Sequence, residues 1–349
     1  MAELKDILDL WKRVSAAGED VCLATVVGVE GSAYRRPGAR MLMTAGGQRA
    51  GTVSGGCLEA EIAKKAWWLT EKGPSIQRYS SFFDDDGDMP YGLGCGGTVI
   101  VLLERGDAAA ACLEAVRRSV EERTPSVLVV ATGGTAAGTQ LVLDSAGEAV
   151  YARDAAVESE GLAREALAVR QSQSAAGFFA ENVAPPPAVT VFGAGDDARP
   201  LVEFADALDW HVTVADGRTN LARAERFPQA ARVCGLEGAL AALTPDDAAV
   251  VMTHSYEQDG QILRGLLSQE LKYIGLLGPR ARTERLVGEV ARELGLEADA
   301  FRERLHSPVG LDLGGHAPAA IALSIVAELQ AVFAGRPIRK LSGLPAVHA

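Results

Sequence analysis

The sequence has no Cys-x-x-Cys pair, and its five cysteines, at positions 22, 57, 95, 112 and 234, are an odd and scattered set. That excludes a disulfide framework and leaves no structural zinc spacing. Positive charge is also in deficit: 34 Lys and Arg stand against 46 Asp and Glu, a formal net charge of −12. A surface of that sign repels a phosphate backbone, so no nucleic-acid partner is expected, while a local basic pocket for a small anion stays compatible. No run approaches the roughly 20 apolar residues that cross a bilayer, so no membrane partner is expected either. The opening Met1-Ala2-Glu3-Leu4-Lys5-Asp6 lacks the basic-then-apolar order of a signal peptide, and the expected location is the cytoplasm. No repeat of fixed period is visible.

What is present suits packed domains. A chain of 349 residues with 48% hydrophobic and 23% charged residues is long enough for two cores. The clearest boundary is Asn182-Val183-Ala184-Pro185-Pro186-Pro187, where three prolines remove donors and stiffen the chain. We therefore expect an N-terminal domain over 1–182, a linker over 183–187 and a C-terminal domain over 188–349. The fold class is α/β, with a mixed α/β first domain and a Rossmann-type, doubly wound parallel sheet in the second.

In the first domain the pattern predicts a helix at 4–17, strands at 21–29, 40–44 and 49–53, and a helix from Cys57 to Lys72 stopped by Gly73-Pro74. A strand at 98–103, a helix at 107–122, a strand at 126–131, a hairpin at 139–153 and a helix at 154–169 follow. After the linker, strands at 189–193, 211–215, 231–234, 248–253 and 272–277 alternate with helices at 197–209, 258–268 and 279–292, before a long last helix at 317–334. That alternation implies a parallel sheet covered on both faces.

Gly193-Ala194-Gly195-Asp196-Asp197-Ala198 follows a strand and opens a helix, fitting G-x-G-x-x-A. Asp216 ends the next strand about 20 residues on, where a carboxylate accepts ribose hydroxyls and favours NAD over NADP. Asp196 and Asp197, however, sit in the first helical turn and compete with a pyrophosphate for its free N–H groups. His254 and Arg280 follow later strands and are expected at the same carboxyl-end crevice, with the loop Ser307–Gly315 lining the same edge.

Two glycine-rich stretches of the first half carry other chemistry. The loop from Gly31 to Arg40 holds Arg35, Arg36 and Arg40, whose planar guanidiniums suit phosphate. In Ser54-Gly55-Gly56-Cys57 a thiol stands at a helix start, where free N–H groups and the positive dipole end favour thiolate and the glycines admit a ligand to the backbone. Cys95, in Gly94-Cys95-Gly96-Gly97, is a second such thiol, and the pair suits a soft metal or a sulfur relay. Asp84-Asp85-Asp86-Gly87-Asp88 fails the calcium-loop spacing and reads as a solvated loop. Cys22, Cys112 and Cys234 lie in apolar or Ala-rich runs and read as small buried hydrophobes.

Arg35-Arg36-Pro37-Gly38-Ala39-Arg40, Ser54-Gly55-Gly56-Cys57-Leu58-Glu59 and Gly94-Cys95-Gly96-Gly97 resemble the first domain of the XdhC/CoxI family, accessory proteins in the maturation of xanthine dehydrogenase and carbon monoxide dehydrogenase. Phe192-Gly193-Ala194-Gly195-Asp196-Asp197, Thr253-His254, Gly278-Pro279-Arg280 and Pro308-Val309-Gly310-Leu311-Asp312 resemble its Rossmann domain. Gly314-Gly315-His316-Ala317-Pro318 departs from the family pattern, which more often has an acid before threonine and proline. The resemblance implies a chaperone that binds molybdenum cofactor (molybdopterin) transiently, protects it during sulfuration and inserts it into a molybdenum hydroxylase. It further implies Cys57 as metal contact, Cys95 as a second sulfur, and Arg35, Arg36 and Arg40 on the pterin phosphate. A molybdenum hydroxylase client, a cysteine desulfurase-type sulfur donor and a homodimer are the expected partners. An NAD-dependent oxidoreductase using the crevice of Gly193, Gly195, Asp216 and His254, and a scaffold that holds no cofactor, are the alternatives.

Overall fold

Strand β1 (Val21–Gly31) is buried along most of its length because both of its faces are covered. Cys22, Ala24 and Val26 point to one side and Val21 and Leu23 to the other, the two-residue alternation of a pleated strand. The computed structural model describes residues 3–56, 58–80, 97–133, 137–153, 157–175, 177–295 and 304–340. The chain divides into two units, one ending at Pro186 and the other beginning at Pro187.

The first unit holds two antiparallel five-stranded sheets. β1 pairs on one side with β2 (Arg40–Thr44), followed by β3 (Arg49–Gly51), and on the other with β5 (Gly97–Glu104), followed by β4 (Ser75–Ser80). The second sheet runs β8 (Ala149–Ala152), β7 (Gly138–Leu143), β6 (Ser126–Ala131), β10 (Phe178–Val183), β9 (Gln173–Ala175). Helices α1 (Glu3–Ala16) and α3 (Gly106–Glu121) pack against residues of both sheets, including Leu23, Leu42, Leu128 and Val142. Helix α2 (Glu59–Leu69) covers the other face of the first sheet and α4 (Val157–Val169) that of the second.

The second unit is a six-stranded parallel sheet in the order β13 (Arg232–Cys234), β12 (His211–Ala215), β11 (Ala188–Phe192), β14 (Ala248–Val251), β15 (Tyr273–Leu276), β16 (Leu305–His306). In chain order this is 3-2-1-4-5-6, the doubly wound Rossmann arrangement, with its switch point between β11 and β14. Helices α5 (Ala198–Ala207) and α9 (Pro318–Phe333) contribute to the core on one face. On the other face lie α6 (Leu236–Leu240), α7 (Tyr256–Leu267) and α8 (Arg280–Leu294).

Several expected elements shift. The helix expected from Cys57 begins at Glu59 and ends at Leu69, where the Thr70 hydroxyl donates back to the Ala66 carbonyl at 2.7 Å. Strands β4 and β10 escape the sequence pattern. β4 is the polar edge run SIQRYS, and the centre of β10 carries Glu181 and Asn182 where apolar alternation would be sought. Glu181 is there to meet an arginine. Arg40 of β2 is 4% exposed and donates from Nη1 to Glu181 Oε1 at 2.8 Å and from Nη2 to Oε2, with Nε on Cys112 Sγ at 3.4 Å. A phosphate role for Arg40 is therefore corrected: its fork is consumed inside the unit, joining the two sheets.

A second polar link crosses the same sheets. The Thr139 hydroxyl of β7 donates to Glu104 of β5 at 2.9 Å, and burial pushes the Glu104 carboxyl up to about 7, against the pull of Thr139 and of Arg153 and Arg40. Two outcomes follow. Arg40→Ala leaves Glu181 buried and unpaired and is expected to cost ~3–5 kcal/mol in denaturant unfolding, while Arg40→Met with Glu181→Leu recovers most of it. Because the folded pKa of Glu104 is raised, the unfolded chain ionises first, and the wild type loses stability relative to Glu104→Gln as pH rises from the unfolded value to about 7. That difference, up to ~3 kcal/mol, levels off above pH 7 in paired pH-stability curves.

Candidate functional site

Around the loop from Gly31 to Arg40 the three arginines part company. Arg40 faces inward, and Gly38 at φ +97° is needed beside it, because a β-carbon there would lie 2.9 Å from Glu181 Oε1. Arg35 is half-buried and donates through Nη2 to Glu3 at 2.5 and 2.6 Å. Glu3 also accepts from the Thr52 backbone N–H at 3.0 Å, so one carboxylate ties the arginine loop to the strand end that leads into the glycine turn. Arg36 is exposed. Tyr34, 79% exposed, lies over the glycine turn, its ring 3.5 Å from where a Gly55 β-carbon would stand.

The glycine turn is shaped by a buried clamp. Glu59 Oε1 accepts from the Val53 and Ser54 backbone N–H groups at 3.1 and 2.8 Å, and Oε2 accepts from the Ser54 hydroxyl at 2.6 Å. The Ser54 oxygen in turn accepts from the Leu58 N–H at 3.1 Å and the Gly56 N–H at 3.3 Å. Burial alone would raise the Glu59 carboxyl; the serine hydroxyl and the backbone donors outweigh it and hold it below the ordinary range. Gly56 takes φ +107° with nothing within 4 Å of a β-carbon position. Cys57 lies outside the described residues, as do Cys95 and the acidic run from Asp84 to Asp88. Leu58 is the cap residue of α2, whose first helical residue is Glu59.

Of the remaining cysteines, Cys22 and Cys112 are buried, and burial pushes their thiols up to about 12 and about 11. Cys234 is half-buried against the α6–α8 side of the Rossmann sheet.

The Rossmann turn has the expected backbone and an unexpected occupant. Gly193 takes φ +126°, and a β-carbon there would stand 2.4 Å from the Met252 carbonyl oxygen, so glycine is required where β11 passes the end of β14. At Gly195 a β-carbon would lie 2.4 Å from Asp197 Oδ1: the space the second glycine clears is taken by the chain's own carboxylate. Asp196 is paired with Arg226 at 2.8 Å, and Arg226 also donates to the Ala194 carbonyl at 2.7 Å.

Asp216, expected on a ribose, is 1% exposed and fully subscribed. Oδ1 accepts from the Arg218 N–H and Nε at 2.8 and 2.9 Å, and Oδ2 from the Ala194 N–H and Arg218 Nη2, both at 2.8 Å. A carboxylate offers about four lone-pair sites, and all are used. These donors outweigh burial and hold the Asp216 carboxyl low. The expected ribose role is thus corrected to a structural one.

His254 sits in the left-handed region at φ +60°, with Nε2 2.7 Å from Asp197 Oδ2. Both line a cavity of about 260 Å³ at the carboxyl edge of the sheet, together with Leu201, Met252, Leu277, Ile321, Ala322 and Ile325. Arg280 does not join them. It pairs with Glu284 of its own helix at 2.9 Å and lines a separate hollow of about 230 Å³ with Thr283, Val287, Leu305 and Ser307. Sequence reasoning missed Glu3, Glu59, Tyr34 and Arg218 as site-shaping residues. Only Arg218 carried a local signal, standing two positions after Asp216.

The model of the XdhC and CoxI family matches residues 14–80, and that of the XdhC Rossmann domain matches residues 189–329. A probable xanthine dehydrogenase subunit from Bacillus subtilis (strain 168) is 33% identical over 317 residues, covering 89% of this chain and 92% of the relative. The molybdenum cofactor insertion chaperone PaoD of Escherichia coli (strain K12) is 23% identical over 320 residues, covering 90% and 84%. The crystal structure of a xanthine dehydrogenase from Bacillus halodurans superposes with a TM-score of 0.76 at 29% identity, over 97% of this chain and 98% of that one.

The clamp has a measurable weight. Ser54→Ala removes one charge-assisted bond and leaves the Gly56 and Leu58 N–H groups without their acceptor, a loss of ~1–3 kcal/mol in thermal or denaturant unfolding.

Proposed function

This chain belongs to the XdhC and CoxI family, and from that premise we propose that it is an accessory chaperone that binds molybdenum cofactor, assists its sulfuration and inserts it into a molybdenum hydroxylase. The observation that carries this reading is the Ser54–Glu59 clamp, which shapes a glycine turn with Tyr34 against Gly55 and open space at Gly56. The donor set fits the cargo. Open backbone at Gly56, an exposed cation and a thiol at position 57 match an anionic group that carries a soft metal. When bound, molybdenum cofactor supplies that metal and a pterin phosphate.

Each residue then has a task. Gly55 and Gly56 let the ligand approach the backbone, and Ser54 and Glu59 hold those two residues in place. Cys57 is the main sulfur contact and Cys95 the second. Arg36 is the phosphate contact, while Arg35 is held by Glu3. Arg40 has no part in this set. A cysteine desulfurase-type donor would deliver sulfur to the same end, and a homodimer is compatible with this arrangement. The dehydrogenase reading draws no support from the Rossmann crevice, where Asp216 is saturated and Asp197 fills the glycine turn.

The test is retention of molybdenum and pterin by the protein purified from cells that make the cofactor. Cys57→Ala is expected to lose most bound molybdenum without a change in melting temperature. Arg36→Ala is expected to weaken retention about tenfold, the scale of one charge-assisted contact. Wild-type retention and unchanged client sulfuration by Cys57→Ala would remove Cys57 from the mechanism.

A further inference from the structure

Glu3 has no part in the function above, yet it joins the two segments that meet at the glycine turn. It lies one helical turn before Ile7, and α1 is fixed in the core by Ile7, Leu8, Leu10 and Val14. Both oxygens of Glu3 accept from Arg35 Nη2, at 2.5 and 2.6 Å, and Oε1 also accepts from the Thr52 N–H at 3.0 Å. The same helix presses on the strand end before Thr52: a β-carbon at Gly51 would lie 2.6 Å from Ile7 Cδ1.

The arginine loop depends on such an anchor. Its far end is tied by backbone bonds, Gly38 N–H to the Val26 carbonyl at 2.8 Å and Ala39 N–H to the Arg36 carbonyl at 3.1 Å. Among the described residues, neither Tyr34 nor Arg35 makes a backbone hydrogen bond. Glu3 is also the only acceptor of the Arg35 guanidinium among them, and Arg35 Nε is buried without one. Tyr34, the residue before Arg35, is exposed but lies against Gly55, three residues after Thr52. One carboxylate therefore holds both sides of the Tyr34–Gly55 contact.

We propose that Glu3 is a positioning residue: through Arg35 and Thr52 it keeps Tyr34 over the glycine turn, and Tyr34 slows the release of an anionic ligand bound there. The identity of that ligand rests on the chaperone reading above. Glu3 acts on it only through Tyr34. Were Glu3 merely neutralising Arg35, its removal would free a second cation and strengthen the hold on an anion.

The test follows release of molybdenum and pterin over time from the full chain, purified from cells that make the cofactor and moved to cofactor-free buffer. Glu3→Gln, Tyr34→Ala and the double variant are compared with the wild type. Glutamine keeps the side-chain length and an acceptor for the Thr52 N–H, and removes the charge that holds Arg35. Glu3→Gln is expected to speed release about tenfold, the scale of one charge-assisted contact. Tyr34→Ala is expected to speed it at least as much. The double variant is expected to release no faster than Tyr34→Ala alone, because residues that act through one another are not additive. The melting temperature of Glu3→Gln is expected within about 4 °C of the wild type, since a partly exposed ion pair adds little stability. Unchanged or slower release in Glu3→Gln, or additive effects in the double variant, would overturn the proposal alone. A wild type that carries no molybdenum would overturn the chaperone reading and this role of Glu3 with it.

Discussion

The first unit is organised around the ion pair of Arg40 and Glu181, which carries a charge from β2 of one sheet to β10 of the other. Burying two charges is costly, and the cost is offset only when the remaining donors and acceptors are met as well. Here the Gly38 carbonyl and the Cys112 sulfur take two further guanidinium donors. The loop must therefore pass close to Glu181, which only a residue without a β-carbon permits at position 38. The run Pro37-Gly38-Ala39-Arg40 thus encodes the joining of two sheets, and it leaves Arg36, just outside that run, facing solvent.

The same logic recurs at the two glycine motifs. At Ser54-Gly55-Gly56 the side chain that fixes the turn is Glu59, and Gly56 remains open while Tyr34 lies against Gly55. At Gly193-Ala194-Gly195 the fixing side chain, Asp197, lies over the second glycine and closes it. Motifs of similar appearance therefore differ in geometry: one turn leaves open space at Gly56, and the other gives its opening to an internal carboxylate. Arg218 and Arg226 pair with Asp216 and Asp196, so those two acids are neutralised within the unit.

These placements assign distinct chemistry to each unit. The first offers an exposed arginine at position 36 and an exposed tyrosine against the turn of Gly55 and Gly56. The second offers a carboxylate in contact with a histidine beside an aliphatic cavity.

Much of this was legible in the residues. The alternation of short apolar runs and amphipathic helices after Pro187 implied the parallel sheet, because buried strands and covering helices have different periods. The glycines at 193 and 195 marked the first turn, and the motifs at 35–40 and 54–59 marked the family. Strand order 3-2-1-4-5-6, the pairing of β10 beside β6 and the edge strand β4 were not legible, since register depends on partners distant in sequence. Which charges are free was hidden for the same reason. Arg35, Arg36 and Arg40 look equivalent along the chain, yet Glu3 takes one, Glu181 another, and the third faces solvent. Local sequence determined which residue types stand at the turns; tertiary structure alone decided which of them are already satisfied, because a buried charge is paired with whatever the fold brings within hydrogen-bond reach.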